Sequence, residues 1–300
     1  MNDKLVKVSI PMMERTLIWY ARHFPLSAGK IRVINHLWRV ASGQTPTQRT
    51  GQLIYGGYEI PCDLSEMIQR QVYFFGTYYI ERECLECWVS VTRDARVVFD
   101  VGANAGIYSL AALAANPRAV VHAFEPTPEI AKRLRAVASS NHLFLLHVHE
   151  LAILNRAGTA TLHRYRGDHG ENGGMNFITS REDPSGESVA TTTLDAFCHE
   201  HGVAKIDALK MDIQGHEATA LEGARSLLKQ GRISTIFMEL NWSSDPEARC
   251  AATTAVDILK AHGFHFAEPK RPLCWRAAGP WMRKMTDIIA KKQNTVVSAK

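Results

Sequence analysis

Three stretches of the chain place acids, glycines and a histidine where chemistry can use them. In Val97-Val98-Phe99-Asp100-Val101-Gly102-Ala103-Asn104-Ala105-Gly106, a β-branched apolar run closes on an acid and a turn broken by two glycines. In Ala119-Val120-Val121-His122-Ala123-Phe124, a second apolar run ends in Glu125-Pro126. In Leu209-Lys210-Met211-Asp212-Ile213-Gln214-Gly215-His216-Glu217, a strand-like piece ends in Asp212 and is followed at once by His216 and Glu217. Glycines after a strand let a ligand approach the backbone, and the first amides of the next helix are free to bind it. An acid ending the neighbouring strand can accept hydrogen bonds from the hydroxyls of a ribose. Carboxylates and an imidazole at strand ends on the same rim can take a proton from a nucleophile.

Such residues need a parallel sheet to bring their strand ends together. From Arg96 onward the sequence alternates strand-like and helix-like segments, the pattern of crossover connections. Strands are expected at Val97–Val101, Val120–Phe124, Phe144–Leu151, Ala208–Met211 and Thr235–Glu239, with helices at Pro128–Ser140 and Glu217–Gln230. An insertion from about Thr159 to Thr193 starts as a strand, Thr159–His163, and continues as a long Gly-, Asn-, Asp- and Ser-rich loop, Arg166–Ser188. His265–Glu268 and Leu273–Trp275 suggest a closing hairpin, and the last dozen or so residues a fraying tail. The division is therefore an N-terminal helical or lid region, 1–95, an α/β domain, 96–280, and a tail, 281–300.

The turn is not the dinucleotide fingerprint, because Gly102-Ala103-Asn104-Ala105-Gly106 lacks its middle glycine. A nucleoside without a pyrophosphate fits better, and S-adenosylmethionine is the commonest cofactor of that kind. Asp100, Gly102, Asn104, Gly106 and Glu125 form the expected cofactor-binding set.

In the N-terminal region, Thr16–Ala21 and Ile31–Val40 read as two amphipathic helices. They could cap a sheet, form a dimer face or lie on a membrane surface; packing against the α/β domain is expected. Asp63 or Ser65 is placed to cap a helix starting near Glu66 that runs to a glycine stop at Gly76. This section is expected to be a wall over the cofactor site.

Composition bounds the rest. In 300 residues, 46% are hydrophobic and 22% charged, as in an ordinary globular protein. No apolar run reaches membrane-span length and no signal peptide is legible, so a cytoplasmic protein without integral membrane association is expected. A formal charge of +5 does not imply nucleic acid. Six cysteines are scattered; Cys84-Leu85-Glu86-Cys87 is half a zinc motif without its partner, so no metal site is expected.

Several of these stretches together resemble the FkbM-type S-adenosylmethionine-dependent methyltransferases. The turn Phe99–Gly106, the acid in Phe124-Glu125-Pro126, Thr193-Leu194-Asp195, the block Leu209–Glu217, and Cys62-Asp63-Leu64 with Tyr73-Phe74-Phe75-Gly76 carry the likeness, from about residue 58 to about residue 240. It implies a class I methyltransferase (Rossmann-like) fold: a seven-stranded, mostly parallel sheet, its last strand antiparallel, with helices on both faces and here an N-terminal helical cap. It also implies O-methylation of a hydroxyl on a sugar, glycan or secondary metabolite. The family usually has an acid where Gln214 stands.

Methyl transfer from a sulfonium is an in-line displacement, so alignment matters and a base helps an aliphatic hydroxyl. Asp212 or His216 is the expected base, with Glu239 as an accessory acid. A helix N-terminus disfavours an imidazolium, keeping His216 neutral. Against this stands a structural reading in which His216 and Glu217 merely bind the free amides of their helix. Asn172-Gly173-Gly174 is a weaker candidate, and Asp195 is placed to cap the Ala196–His201 helix or pair with a neighbour. Neither Asp/Asn-Pro-Pro-aromatic nor Pro-Cys follows the fourth strand, which disfavours methylation of nucleobases. Two other readings are a nicotinamide-dependent oxidoreductase, disfavoured by the missing glycine, and an inactive methyltransferase fold that binds a partner.

Overall fold

The computed structural model describes residues 12–24, 29–41, 47–164, 166–167, 170–171, 177–179, 186–241, 245–267 and 285–292. Helices α1 (Met12–His23) and α2 (Lys30–Ala41) put Leu17 and Ala21, and Ile34 and Trp38, on their inner faces at helical spacing. These four side chains are buried in the same core as Val98, Ala208 and Phe237 of the central sheet, so the two helices pack on the α/β unit as expected. Glu14, on the inner face of α1, is 1% exposed; Arg49 pairs with it at 2.8 Å and the Tyr73 hydroxyl donates to it at 2.9 Å. Without those partners a buried carboxylate would be strongly destabilising.

A hairpin, β1 (Gln48–Gln52) and β2 (Glu59–Asp63), leads to α3 (Met67–Phe75), which stops at Gly76 in the left-handed conformation as its sequence predicts. The expected cap is different: the Asp63 carboxylate accepts from the amide and hydroxyl of Ser65, and Glu66 holds the N-cap position without a side-chain bond. A 3-10 turn, Tyr79–Glu81, precedes α4 (Arg82–Thr92), which carries Cys84 and Cys87 outside any disulfide. Among the described residues no group of three or more His, Cys, Asp or Glu is arranged to hold a metal.

The central sheet begins with β3 (Val97–Val101), α5 (Ile107–Ala115), β4 (Val120–Phe124), α6 (Pro128–Ser140) and β5 (Leu146–His149). The strands are parallel, and Val98–Val101 are buried on both faces, which is why this run reads as continuous apolar sequence. The third strand is shorter than Phe144–Leu151, because Phe144 follows a left-handed His142 and is 83% exposed.

The insertion holds more structure than its composition suggests. After β6 (Ala152–Ile153), it contains β7 (Gly158–His163), β8 (Arg166–Gly167), β9 (Gly170–Glu171), β10 (Phe177–Thr179) and β11 (Glu187–Thr192). Four of these form a small sheet in the order β10-β7-β11-β6. The stretch Arg166–Ser188 is therefore not one loop: strands of two or three residues are too short to show a period among turn-forming residues. Asn172-Gly173-Gly174 lies outside the described residues.

The chain returns through α7 (Leu194–Glu200), β12 (Ile206–Met211), α8 (Glu217–Glu222), α9 (Arg225–Lys229), β13 (Ile233–Asn241), α10 (Pro246–Ala261), β14 (Phe264–Ala267) and β15 (Met285–Lys292). Sheet order is β14-β15-β13-β12-β3-β4-β5, parallel except for β15, which runs antiparallel to both its neighbours. Two expectations change here. The segment 281–300 is not simply a tail, since β15 pairs with Thr235–Asn241 of β13 and buries Ile288, Ile289 and Ala290. β14 pairs with β15, and Leu273–Trp275, the expected hairpin partner of His265–Glu268, lies outside the described residues. The expected helix Glu217–Gln230 is two helices, α8 and α9, separated at Gly223. A Cβ there would lie 2.2 Å from the Leu154 carbonyl oxygen, so the backbone passes too close for any other residue. Thr193 caps α7, and Asp195 instead accepts from Ser226 and Leu227 at the start of α9.

One face of β4 and β5 carries stacked imidazoles: His122 lies against His147 and His149, and His149 against His201, with Phe197 edge-on. One ring nitrogen donates to another between His122 and His149, at 3.0 Å. Burial first, then the neighbouring histidines, push His122 down to about 3 and His149 down to about 4. Below the ordinary histidine pKa of 6.5 the unfolded chain takes up protons that the folded stack refuses. Stability is therefore expected to fall with pH from about 6.5 toward 4, by about 1–2 kcal/mol near pH 5 after allowing for partial exposure. Urea unfolding across this range measures it; His122→Leu should flatten the slope, and an unchanged slope refutes the assignment.

Candidate active site

The sheet reverses its order of growth between β3 and β12, and this is where open α/β sheets form their ligand crevice. The ends of the two strands touch. Gly102 has φ 77°, and a Cβ on it would lie 2.0 Å from the Asp212 carbonyl oxygen. The Asp212 amide donates to the Val101 carbonyl at 3.1 Å, and the Gly102 and Ala103 amides both donate to the Phe124 carbonyl at 3.0 Å. Asn104 adopts a left-handed φ of 46°, which asparagine tolerates, and Gly106 caps α5 in the same conformation.

Glu125 is 5% exposed. Its two oxygens accept from the amides of Asn104 and Thr127, each at 2.9 Å, so the acid ties the glycine turn to the end of β4. Burial raises its pKa, opposed by those bonds and by Lys210. The Thr127 hydroxyl bonds it as well, and a carboxylate accepts about four hydrogen bonds, so one site remains for a ribose. Beside it lies a narrow apolar cleft lined by Val101, Phe124, Pro126, Leu151, Leu154 and Ile213. The acid and the turn together fit the ribose of an adenosyl group.

Asp100 is placed differently from the other members of the expected set. Its carboxylate is fully buried and accepts from the Ser109 hydroxyl at 2.7 Å. Its other oxygen faces the Lys210 ammonium at 3.6 Å. It supports the turn from beneath.

Lys210 is the residue that sequence reasoning did not single out. Only 5% exposed, its ammonium donates to the Gly102 carbonyl at 3.1 Å and stands 3.5 Å from Asp212 and 5.0 Å from the centre of the Tyr108 ring. Burial alone would lower its pKa, but Asp212, Asp100, Glu81 and Glu239 outweigh burial and raise it. Tyr108 in turn donates to Glu81 at 2.8 Å. A signal was present: a lysine inside the otherwise buried run Ala208-Leu209-Lys210-Met211 has to find partners in the core.

Asp212 retains 29% side-chain exposure. The Gln214 amide donates to its Oδ1 at 2.9 Å, with Gln214 itself in a left-handed conformation. An ionised acid at position 214 could not make that bond, so glutamine here gives Asp212 a donor. Glu239 is half-buried on β13 and reaches the site through its charge on Lys210.

The two halves of the structural reading for His216 and Glu217 separate. Glu217 does bind free amides, but those of the turn before its helix, accepting from Ile213 at 3.0 Å and Gly215 at 3.4 Å, and burial pushes it up to about 7. His216 makes no side-chain cap; its Nε2 donates to the Ile178 carbonyl of β10 at 2.6 Å. That bond leaves Nδ1 as the acceptor, and burial lowers the pKa, which keeps the ring neutral.

A seven-stranded sheet in this order with an antiparallel β15, a glycine turn after β3 and an acid closing β4 define a class I methyltransferase. The methyltransferase FkbM domain model matches residues 100–266, more than half of the chain, and the protein belongs to that family. Its cofactor is S-adenosylmethionine, which sets aside the nicotinamide reading. The chain is 30% identical over 207 residues to the 31-O-demethyl-FK506 methyltransferase FkbM of Streptomyces tacrolimicus, covering 60% of this chain and 77% of that one. It is 28% identical over 176 residues to the 2-O-methyltransferase NoeI of Sinorhizobium fredii, covering 54% and 70%. Among solved structures it is similar to an O-methyltransferase from Bacillus cereus in complex with SAH, with a TM-score of 0.44 and 11% identity over 93% of this chain and 97% of the other.

Proposed function

We propose that this methyltransferase acts on oxygen, methylating a hydroxyl of a small molecule or glycan, and that Asp212 is its base. The placement of Asp212 carries the reading. Its carboxylate stands at the carboxyl end of β12 beside the glycine turn, partly open to solvent, steered by Gln214 and Lys210. A carboxylate fixed in this way can take the hydroxyl proton as the oxygen attacks. The cofactor supplies an electrophilic methyl group; the protein aligns the acceptor with it. His216 spends Nε2 on Ile178, so its part is to hold β10 of the insertion against the site, with Nδ1 free to accept from the acceptor hydroxyl. Glu239 supports the charge of Lys210. The names of both relatives place their methyl groups on oxygen, which supports the acceptor class.

Calorimetry with S-adenosylhomocysteine, and turnover against a panel of sugar and metabolite hydroxyls, test this. Glu125→Ala should weaken S-adenosylhomocysteine binding at least about tenfold, as loss of hydrogen bonds to a charged group does. Asp212→Asn should leave that binding within about threefold and cut turnover by about 10²–10⁴. Full turnover in Asp212→Asn overturns the base; product methylated on nitrogen or carbon overturns the acceptor class. Tight cofactor binding with no turnover on any hydroxyl would instead favour the inactive, partner-binding reading.

A further inference from the structure

The outer faces of α1 and α2 are unlike the rest of the surface. Seven large hydrophobic residues are exposed among those described, and five of them lie here: Met12 at 85%, Trp19 at 54%, Phe24 at 48%, Val33 at 43% and Leu37 at 40%. A sixth, Ile54, follows closely on Gln52, whose carbonyl accepts from Arg22 of α1. Met12, Trp19 and His23 recur at helical spacing on α1, as do Val33 and Leu37 on α2, so each helix shows one apolar face to the core and a second to solvent. Trp19 stacks on His23 and meets Phe24 edge-on, which fixes an aromatic platform at the end of α1.

Charge says what such a face would meet. Of the described basic residues here, Lys30 is buried and Arg22 donates to the carbonyls of Gln52, Tyr73 and Phe74, so neither counts toward the charge of the face. Within α1 and α2 the single acid, Glu14, is buried and paired with Arg49, while Arg15 and Arg32 are exposed beside the apolar residues. The face is thus apolar, aromatic and basic, with no exposed carboxylate on either helix. A second copy would bring two like-charged faces together, which disfavours self-association. No helix among the described residues is long and apolar enough to cross a membrane.

We propose that α1 and α2 form a peripheral docking surface for an anionic phospholipid bilayer. Trp19, Phe24, Val33 and Leu37 enter the interfacial layer, where tryptophan is favoured, and the arginines meet lipid phosphates. The helices are already held by the core through Leu17, Ala21, Ile34 and Trp38, so the face is presented as a rigid platform and need not fold on contact. This surface is separate from the chemistry of the crevice, and it stands whether or not the acceptor is a hydroxyl.

Flotation of the full chain with phosphatidylglycerol–phosphatidylcholine vesicles, against vesicles of phosphatidylcholine alone, tests it. Binding to the anionic vesicles is expected to be at least about tenfold tighter and to weaken sharply at high salt. Trp19→Ser with Phe24→Ser, and separately Arg15→Glu with Arg32→Glu, should each weaken it about tenfold or more. All four positions are on the exposed faces. Absence of vesicle binding overturns the proposal, as does equal, salt-insensitive binding to neutral vesicles or binding that both variants retain. A parent dimer that the Trp19→Ser/Phe24→Ser variant dissociates also overturns it, because the face would then be covered by a second copy.

Discussion

Lys210→Met is expected to destabilise the protein by about 3–5 kcal/mol and to abolish methyl transfer. Methionine is unbranched and one atom shorter, and it removes the charge. Asp100, with no exposed surface, would keep the Ser109 hydroxyl but lose its cation, Asp212 would lose the ammonium 3.5 Å away, and the Gly102 carbonyl would lose its donor. For a chain of 300 residues the loss amounts to a fall in melting temperature of roughly 5–8 °C. The carboxylates are the cause, so Asp100→Asn combined with Lys210→Met should recover part of the loss, giving a coupling of about 1–3 kcal/mol. Lys210→Met with an unchanged melting temperature, or additive effects in the double variant, would show that the charges are not coupled. Asp212→Asn acts on turnover, whereas Lys210→Met should act on both folding and turnover, so the pair separates the base from the group that positions it.

Gly102→Ala is expected to abolish S-adenosylhomocysteine binding and to cost about 2–4 kcal/mol of stability. Two costs combine. The residue has φ 77°, where a Cβ is disfavoured, and that Cβ would lie 2.0 Å from the Asp212 carbonyl oxygen. Backbone cannot swing aside as a flexible side chain can, so β3 and β12 must move apart. That shift carries the Asn104 amide away from Glu125 and the Gly102 carbonyl away from Lys210, loosening the cofactor and base sides together. Gly106→Ala provides the comparison. It shares the φ of 77°, but its Cβ would meet the tip of Leu134, a side chain able to rotate, so a smaller loss is expected. Calorimetry and thermal unfolding of the two variants decide this; equal losses would mean that backbone conformation, and not the contact between strand ends, sets the cost.

Much of the site was legible in the chain itself. Gly102, Glu125 and Asp212 reveal themselves because each follows an apolar run at the point where a strand must end, and Gly106 because a helical run starts after it. The central strands read clearly because both their faces are buried, which leaves an unbroken apolar signal. Lys210 was equally visible as a letter, but its meaning depends on Asp100, Asp212, Glu81 and Glu239, which are far apart in sequence. The insertion misled because β8, β9 and β10 are shorter than any period, and β15 was hidden because its apolar triplet, Ile288, Ile289 and Ala290, sits beside a lysine-rich end.

Local chemistry by itself determined the glycine turn, the acids at the strand ends, the α/β class and the kinship to one methyltransferase family. These rest on backbone conformation and burial period, which a chain writes in consecutive residues. The tertiary structure alone decided that Asp100 lies beneath the turn, that His216 holds β10, that Asp195 caps α9, and that Met285–Lys292 fills the sheet between β13 and β14. Each of these is a pairing between distant segments. Its energy comes from satisfying a buried charge, a free amide or an open strand edge, and the groups to be satisfied are known only once the chain has folded.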